Sequence, residues 1–486
     1  MTEVDIRATG GTLGHLRHCR IDGLFGRRTV DFETAAEGPT LLYGTNGSGK
    51  STILRLIDDI AHARPFSVLQ RKFTQAEFRF EAGDRLTVSR EPESLRVSLN
   101  STTWSATTDE LRKAQRRVVM RERRLAEAGR RIPPQASLFA LEELDEGGFL
   151  TTLPDLFPVF FIEDQRLILQ RHDRKRGASG ASIAWPEHPD NEWAVQRFQA
   201  DLSRDIQAAL SGYASHSQEL DRRFPVKIAA AVETRGEGST KREGKEDEEE
   251  EEEEVRELRA LLDRVRDERA ALQGVGLLGR EEGPEHFDST RLEAESVRPV
   301  IRAFAEDTLA KFEILRDIRV RMELFSTFLN QHYQEKDVIT SREDGFRIVL
   351  DSGDELRPWQ LSSGEQQVLA LAYQVLFGSD PGTLILIDEP ELSLHVLWQS
   401  TLIEDLVTMG EARDVRFILA THSPTLIGDR EELMRPLDAI GANGHGQIAG
   451  RPVRDLDAAE GAEDDEDEDE ESLELEIEGS GDGDGY

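Results

Sequence analysis

Apolar positions along this chain follow two rhythms. Short, nearly continuous apolar runs at Thr40-Leu41-Leu42-Tyr43, Leu384-Ile385-Leu386-Ile387 and Val415-Arg416-Phe417-Ile418-Leu419-Ala420 predict buried strands of a parallel sheet covered on both faces. Ala76-Glu77-Phe78-Arg79-Phe80, Leu86-Thr87-Val88 and Leu95-Arg96-Val97-Ser98-Leu99 alternate instead, which predicts antiparallel strands. The chain returns through Phe346-Arg347-Ile348-Val349-Leu350 toward the segment at 361–365. Apolar spacings of three and four predict helices over 51–57, 192–214, 255–272, 289–333 and 364–377, and 108–131 reads as a basic helix closed by Pro133-Pro134.

Two of the predicted strands run into polar residues of chemical interest. After 40–43 comes Gly44-Thr45-Asn46-Gly47-Ser48-Gly49-Lys50-Ser51, which fits the spacing GxxxxGK[ST] between a strand and a helix. Gly44, Gly47 and Gly49, with Asn46 and Thr52, form a loop and helix start whose N–H groups can surround phosphates. Lys50 supplies a cation for the β- and γ-phosphates, and Ser51 a hydroxyl for Mg²⁺. The second run, 384–387, ends in Asp388-Glu389-Pro390 at the carboxyl edge of the sheet. There Asp388 suits a metal, and Glu389 a water that must lose its proton. The strand at 415–420 ends in Thr421-His422-Ser423-Pro424, and His422 reads either as a structural histidine or as a γ-phosphate sensor.

In this order, GTNGSGKST, LSSGEQQ, LILIDEPELSLH and THSP resemble the ABC-type ATPase heads of the SMC, RecF and OLD group. The sequence is most similar to the stand-alone AAA-family ATPases of bacterial anti-phage systems, such as the PtuA subunit of Septu. Gly23-Leu24-Phe25-Gly26, 160–166 and Asp221-Arg222-Arg223-Phe224-Pro225 share that likeness. The resemblance implies ATP and Mg²⁺ as cofactors, Glu389, His422 and Gln165 as catalytic residues, and Ser51, Gln165 and Asp388 around the metal. It implies that Ser362 and Gly364 form a signature loop reaching the γ-phosphate held by a second protomer. This would make a homodimer, or a higher homo-oligomer, with composite ATP sites. Ser363 stands where the commonest signature has Gly, and His395 where transporters usually have Asp, which argues against transporter-like coupling.

Composition narrows the setting. No apolar run reaches membrane-span length and no secretion signal opens the chain, so the expected compartment is cytoplasmic, with no membrane partner. The single cysteine, Cys19, excludes an intrachain disulfide and a Cys-based metal cluster, and is expected as a small core hydrophobe. The net charge of −36 is uneven. Residues 455–486 hold 17 acidic residues and no Lys or Arg, and 246–254 are nine acids in a row. Without both stretches the balance is about −10. Acidic blocks of this kind repel themselves and are expected to be disordered. The tail reads either as a solubiliser or as a functional segment, a DNA mimic or a partner-docking tail. Residues 111–131 run the other way, with nine Lys or Arg against two Glu, which reads as a solvated face or as a contact for DNA or an acidic partner.

The expected fold is α/β: a P-loop ABC-type head of mixed sheet with an antiparallel subdomain, an all-helical insertion and a disordered acidic tail. The predicted boundaries are 1–188 for the N-terminal lobe and 189–335 for a helical hairpin interrupted by an acidic linker at 235–254. A C-terminal lobe at 336–454 and the tail at 455–486 follow. Between THSP and the tail there is no room for a Toprim nuclease domain, and no HNH or zinc pattern occurs. The expected function is an ATP-hydrolysing sensor of an anti-phage complex that controls a separately encoded effector, a nuclease. A RecF- or SMC-like DNA repair ATPase and an ATP-locked, non-catalytic scaffold are the alternatives.

Overall fold

A computed structural model describes residues 12–127, 144–145, 148–163, 192–236, 245–279, 297–392 and 394–437. Gln165, the tail 455–486 and residues 128–131 of the basic stretch lie outside the described residues.

The chain opens with β1 (Leu16–Leu24), β2 (Arg28–Glu33) and β3 (Thr40–Tyr43), then α1 (Lys50–Ala61) and α2 (Pro65–Gln70). A meander of β4 (Gln75–Phe80), β5 (Arg85–Arg90), β6 (Ser94–Leu99) and β7 (Thr102–Thr107) leads to α3 (Thr108–Glu127), α4 (Phe149–Leu156) and β8 (Val159–Ile162). Three long helices follow: α5 (Glu192–Gly236), α6 (Lys245–Gly274) and α7 (Arg298–His332). Then come β9 (Lys336–Ser341), β10 (Gly345–Leu350), β11 (Glu355–Leu356), α8 (Ser363–Phe377), β12 (Leu384–Asp388), α9 (Val396–Arg413), β13 (Arg416–Thr421), α10 (Pro424–Ile427) and β14 (Met434–Pro436).

The central sheet has the order β14-β3-β13-β12-β8, and every pair in it is parallel. All five residues of β12 are buried. Alternation sends its side chains into two separate cores: Leu384 and Leu386 join α1 and the antiparallel strands, whereas Ile385 and Ile387 join the long helices. This explains why the run is apolar at successive positions rather than alternating. The antiparallel sheet, β2-β1-β4-β5-β6-β7, packs its apolar face on α1 through Phe78, Leu86 and Val88. Cys19 is fully buried there, and burial, then the charge of Asp31, pushes its thiol well above the ordinary range.

The third sheet, β11-β10-β9, lies under α5. Gln199 Nε2 donates to Phe346 O at 2.6 Å, and a Cβ on Gly345, whose φ is +76°, would stand 2.5 Å from Gln199 O. On α7, Phe312, Leu315, Ile318, Met322, Phe325 and Leu329 line one buried face.

Three sequence expectations shift. The helix expected over 192–214 continues to Gly236 in spite of Pro225. The helix expected from 289 begins at Arg298, where Pro299 suits a first turn that needs no N–H partner. The acidic linker expected over 235–254 is helical in its second part, because α6 begins at Lys245. A compensating cation supports this: Arg298, itself buried, pairs with Glu251 at 2.5 Å and Glu254 at 3.5 Å. Among the described residues, no helix is long and apolar enough to cross a membrane.

Candidate functional site

The loop after β3 is shaped by glycines. Gly47 and Gly49 have φ of +82° and +105°, a region that side chains with a Cβ rarely enter. A Cβ on Gly49 would also stand 2.9 Å from the ring of Phe25, which leans over the loop from the β1–β2 turn. Gly49 is the N-cap of α1, and no side chain caps that end. Ser48 Oγ is buried without a hydrogen-bond partner among the described residues. An uncapped helix start with an orphaned hydroxyl fits a phosphate. Lys50, 5% exposed, folds over the same loop and donates from Nζ to Gly44 O at 2.6 Å. Arg28 Nη1 donates to Ser48 O at 3.1 Å, a contact the motif alone did not signal.

The parallel sheet then brings distant residues to this loop. Ser51 Oγ donates to Asp388 Oδ1 at 2.9 Å, and Asp388 is buried at the end of β12. A hydroxyl and a carboxylate are hard oxygen donors of the kind Mg²⁺ takes alongside substrate phosphates, so the pair fits that ion.

Glu389 leaves β12 with φ of +48°, a left-handed conformation that is strained for a residue with a side chain. Its N–H donates to Ala420 O at 2.9 Å, in line with the β12–β13 register of Asp388 with Ala420. The kink aims its side chain across to the next strand end, where Oε2 pairs closely with His422 Nδ1. Burial, and next the charge of Glu391, push the Glu389 carboxyl above its usual range, against the pull of His422 and Lys50. A carboxylate so held, next to a metal-type donor pair, can take a proton from water.

Glu391 was not singled out by sequence reasoning. It is buried, and its Oε1 accepts from Thr421 Oγ1 at 2.6 Å, His422 N at 3.0 Å and Ser423 N at 3.2 Å. The available signal was an acidic residue two positions beyond Glu389, in the turn that leaves the strand.

Ser362 and Gly364 lie elsewhere, at the start of α8. Ser362 is the N-cap and forms a capping box with Glu365: Ser362 N donates to Glu365 Oε2 at 2.9 Å, and Lys336 Nζ donates to Glu365 Oε1 at 2.6 Å. Thus Lys50, Ser51, Asp388, Glu389 and His422 converge, whereas the hydrogen bonds recorded for the Ser362 side chain and N–H are with Glu365, inside its own cap. Asn46 and Gly47 are exposed on the loop, and Thr52 is half-buried in the first turn of α1.

The family described as "AAA domain, putative AbiEii toxin, Type IV TA system" matches residues 40–428. The chain is 29% identical over 140 residues to "Retron Vc95 probable ATPase" of Vibrio cholerae serotype O1 biovar El Tor. That stretch is 26% of this chain and 26% of the relative, so the chain spans about a quarter of the curated relative it matches. Among solved structures, it is similar to the Smc head domain with an extended coiled coil bound to the C-terminal domain of ScpA, from Pyrococcus furiosus. The identity there is 15% and the TM-score 0.36, covering 85% of this chain and 91% of that one. The SmcHead bound to the C-winged helix domain of ScpA gives 11% and 0.34 over 85% and 91%. With the matched family spanning the loop, both acidic residues and the histidine, the chain belongs to this AAA-domain family of P-loop ATPases.

Proposed function

We propose that this chain binds ATP with Mg²⁺ at the loop 44–52 and hydrolyses it, and that it does so as the regulatory subunit of an anti-phage defence complex. The observation that carries the reading is the meeting of Ser51 with Asp388 and of Glu389 with His422 at one edge of the sheet. When bound, Mg²⁺ would neutralise phosphate charge between Ser51 and Asp388. Lys50 would move from Gly44 O to the phosphates. Glu389 would orient water and take its proton, with His422 sensing the γ-phosphate. Gln165 would link the metal to the helical part. The relative named as a retron ATPase supports the defence setting.

The same reading makes the unit a homodimer with shared sites. Ser362 and Gly364 would complete the site of a second copy. Leu392, Val396 and Leu397, which are 41%, 60% and 67% exposed beside the acidic turn, give that copy an apolar surface to cover. The effector would be a separate nuclease. A second reading, direct DNA contact, draws support from α3, where Arg116, Arg117, Met120 and Arg124 line one open groove.

The deciding experiment is ATP turnover by the purified full chain, with and without duplex DNA, alone and with its co-expressed neighbours. Mg²⁺-dependent turnover and co-purification of a nuclease are expected. ATP binding without any turnover would leave a scaffold instead.

A further inference from the structure

Glu391 lies two positions beyond Glu389, and its carboxylate contacts the end of the neighbouring strand. Only 6% of it is exposed, and burying a carboxylate is costly unless donors surround it. The donors here are three consecutive residues of the neighbouring strand end: the Thr421 hydroxyl and the N–H groups of His422 and Ser423, all on Oε1. His422 Nδ1 is a further 3.4 Å contact of that oxygen. Oε2 has no hydrogen-bond partner among the described residues.

The surrounding bonds extend the clamp. Ser423 Oγ donates to Gln399 Oε1 at 3.0 Å, and Gln399 Nε2 returns to Leu394 O at 3.2 Å and Glu391 O at 3.4 Å. Ser423 also caps α10 by accepting from Leu426 N at 3.3 Å. The Glu391 carboxylate thereby ties the turn after β12 to the turn after β13, and the Gln399 side chain joins both to the first turn of α9. Without it, the only cross-strand hold on the His422 main chain among these bonds disappears, while the His422 side chain is 46% exposed.

We infer that Glu391 is a positioning residue: its carboxylate fixes the Thr421–Ser423 turn so that the His422 imidazole meets Glu389, and it thereby sets the rate of hydrolysis without touching nucleotide. This rests on the reading of Glu389 and His422 as the hydrolytic pair.

The test uses the full chain and measures kcat, KM and direct ATP binding for Glu391→Ala, Glu391→Gln, His422→Ala and the Glu391→Ala/His422→Ala double variant. Glu391→Ala should lose about 10- to 100-fold in kcat, the usual effect of removing a supporting partner, with KM and ATP binding unchanged. Glu391→Gln should recover most of the rate, since its amide oxygen accepts the same three donors. The double variant should be no slower than His422→Ala alone, because both changes break one unit. Wild-type kcat in Glu391→Ala, no recovery in Glu391→Gln, or losses that multiply in the double variant would overturn the inference. If Glu391→Ala fails to bind ATP, Thr421→Val decides: a lower kcat at unchanged KM supports the inference, and an unchanged kcat overturns it. Normal turnover in Glu389→Gln would instead sink the hydrolytic reading itself. An inactive Glu389→Gln beside a fully active Glu391→Ala would sink only the positioning role.

Discussion

Ser51 and Asp388 are 337 positions apart and share a hydrogen bond of 2.9 Å. The bond joins the start of α1 to the end of β12, which sit side by side because α1 packs on the central sheet. It also brings two oxygen donors within 2.9 Å of each other, the pair proposed to hold Mg²⁺. Ser51→Ala and Asp388→Asn should each raise the Mg²⁺ concentration for half-maximal turnover by about tenfold or more. A magnesium titration of ATPase rate checks this, and an unshifted midpoint in both variants would remove the pair from the metal site.

Lys50 and Glu389 should separate binding from turnover. Lys50→Ala removes the buried cation of the loop, so ATP affinity should fall about tenfold or more, roughly 1.4 kcal/mol at minimum. Glu389→Gln should keep ATP bound and slow hydrolysis by about 10²–10⁴-fold. Binding by fluorescent ATP analogue and single-turnover hydrolysis, measured side by side, distinguish the two effects.

If sites are shared between copies, complementation has a ceiling. A Lys50→Ala chain mixed with a Ser362→Arg chain should recover no more than one working site per dimer, and each variant alone should be impaired. Full activity of either variant as a monomer would contradict the shared site.

Glu365 should give the start of α8 a pH-dependent stability. Burial pushes its carboxyl up, but the Lys336 ammonium and the donors of Ser362 outweigh this and hold it below its usual value of 4.5. A carboxyl lowered in the folded state contributes stability that is in place above the unfolded value and is lost as pH falls through the folded one. Thermal melts of the wild type and Glu365→Gln should therefore differ at neutral pH and converge on acidification below the usual carboxylate range. At neutral pH, Glu365→Ala should cost about 0.5–2 kcal/mol, the scale of a lost helix cap.

Phe325 ties the helical part to the head. It is fully buried, with ring centroids 5.4 Å from Phe346, 6.5 Å from Tyr373 and 5.7 Å from Phe377, thus joining α7 to β10 and α8. Phe325→Ala should cost about 3–5 kcal/mol by chemical denaturation. A cost near zero would show that the two parts are held by something other than this cluster.

The sequence determined what neighbouring residues decide among themselves. The glycines of 44–49 specify left-handed turns at Gly47 and Gly49, and the apolar run before Asp388 specifies a strand buried on both faces, because each depends on a few adjacent positions. Tertiary structure alone decided the pairings. Which strands lie next to β12 is set by packing of the whole sheet, so neither the Ser51–Asp388 bond nor the Glu389–His422 contact is written in local spacing. For the same reason Glu391 passed as one more acid in a turn: its burial and its three donors come from the end of a strand some thirty residues on. The acids of 246–254 read as a linker because self-repulsion is local, whereas Arg298, the cation that supports them in α6, comes from another helix. Conformation followed from local sterics and periodicity, while chemistry between distant side chains waited on how the layers packed.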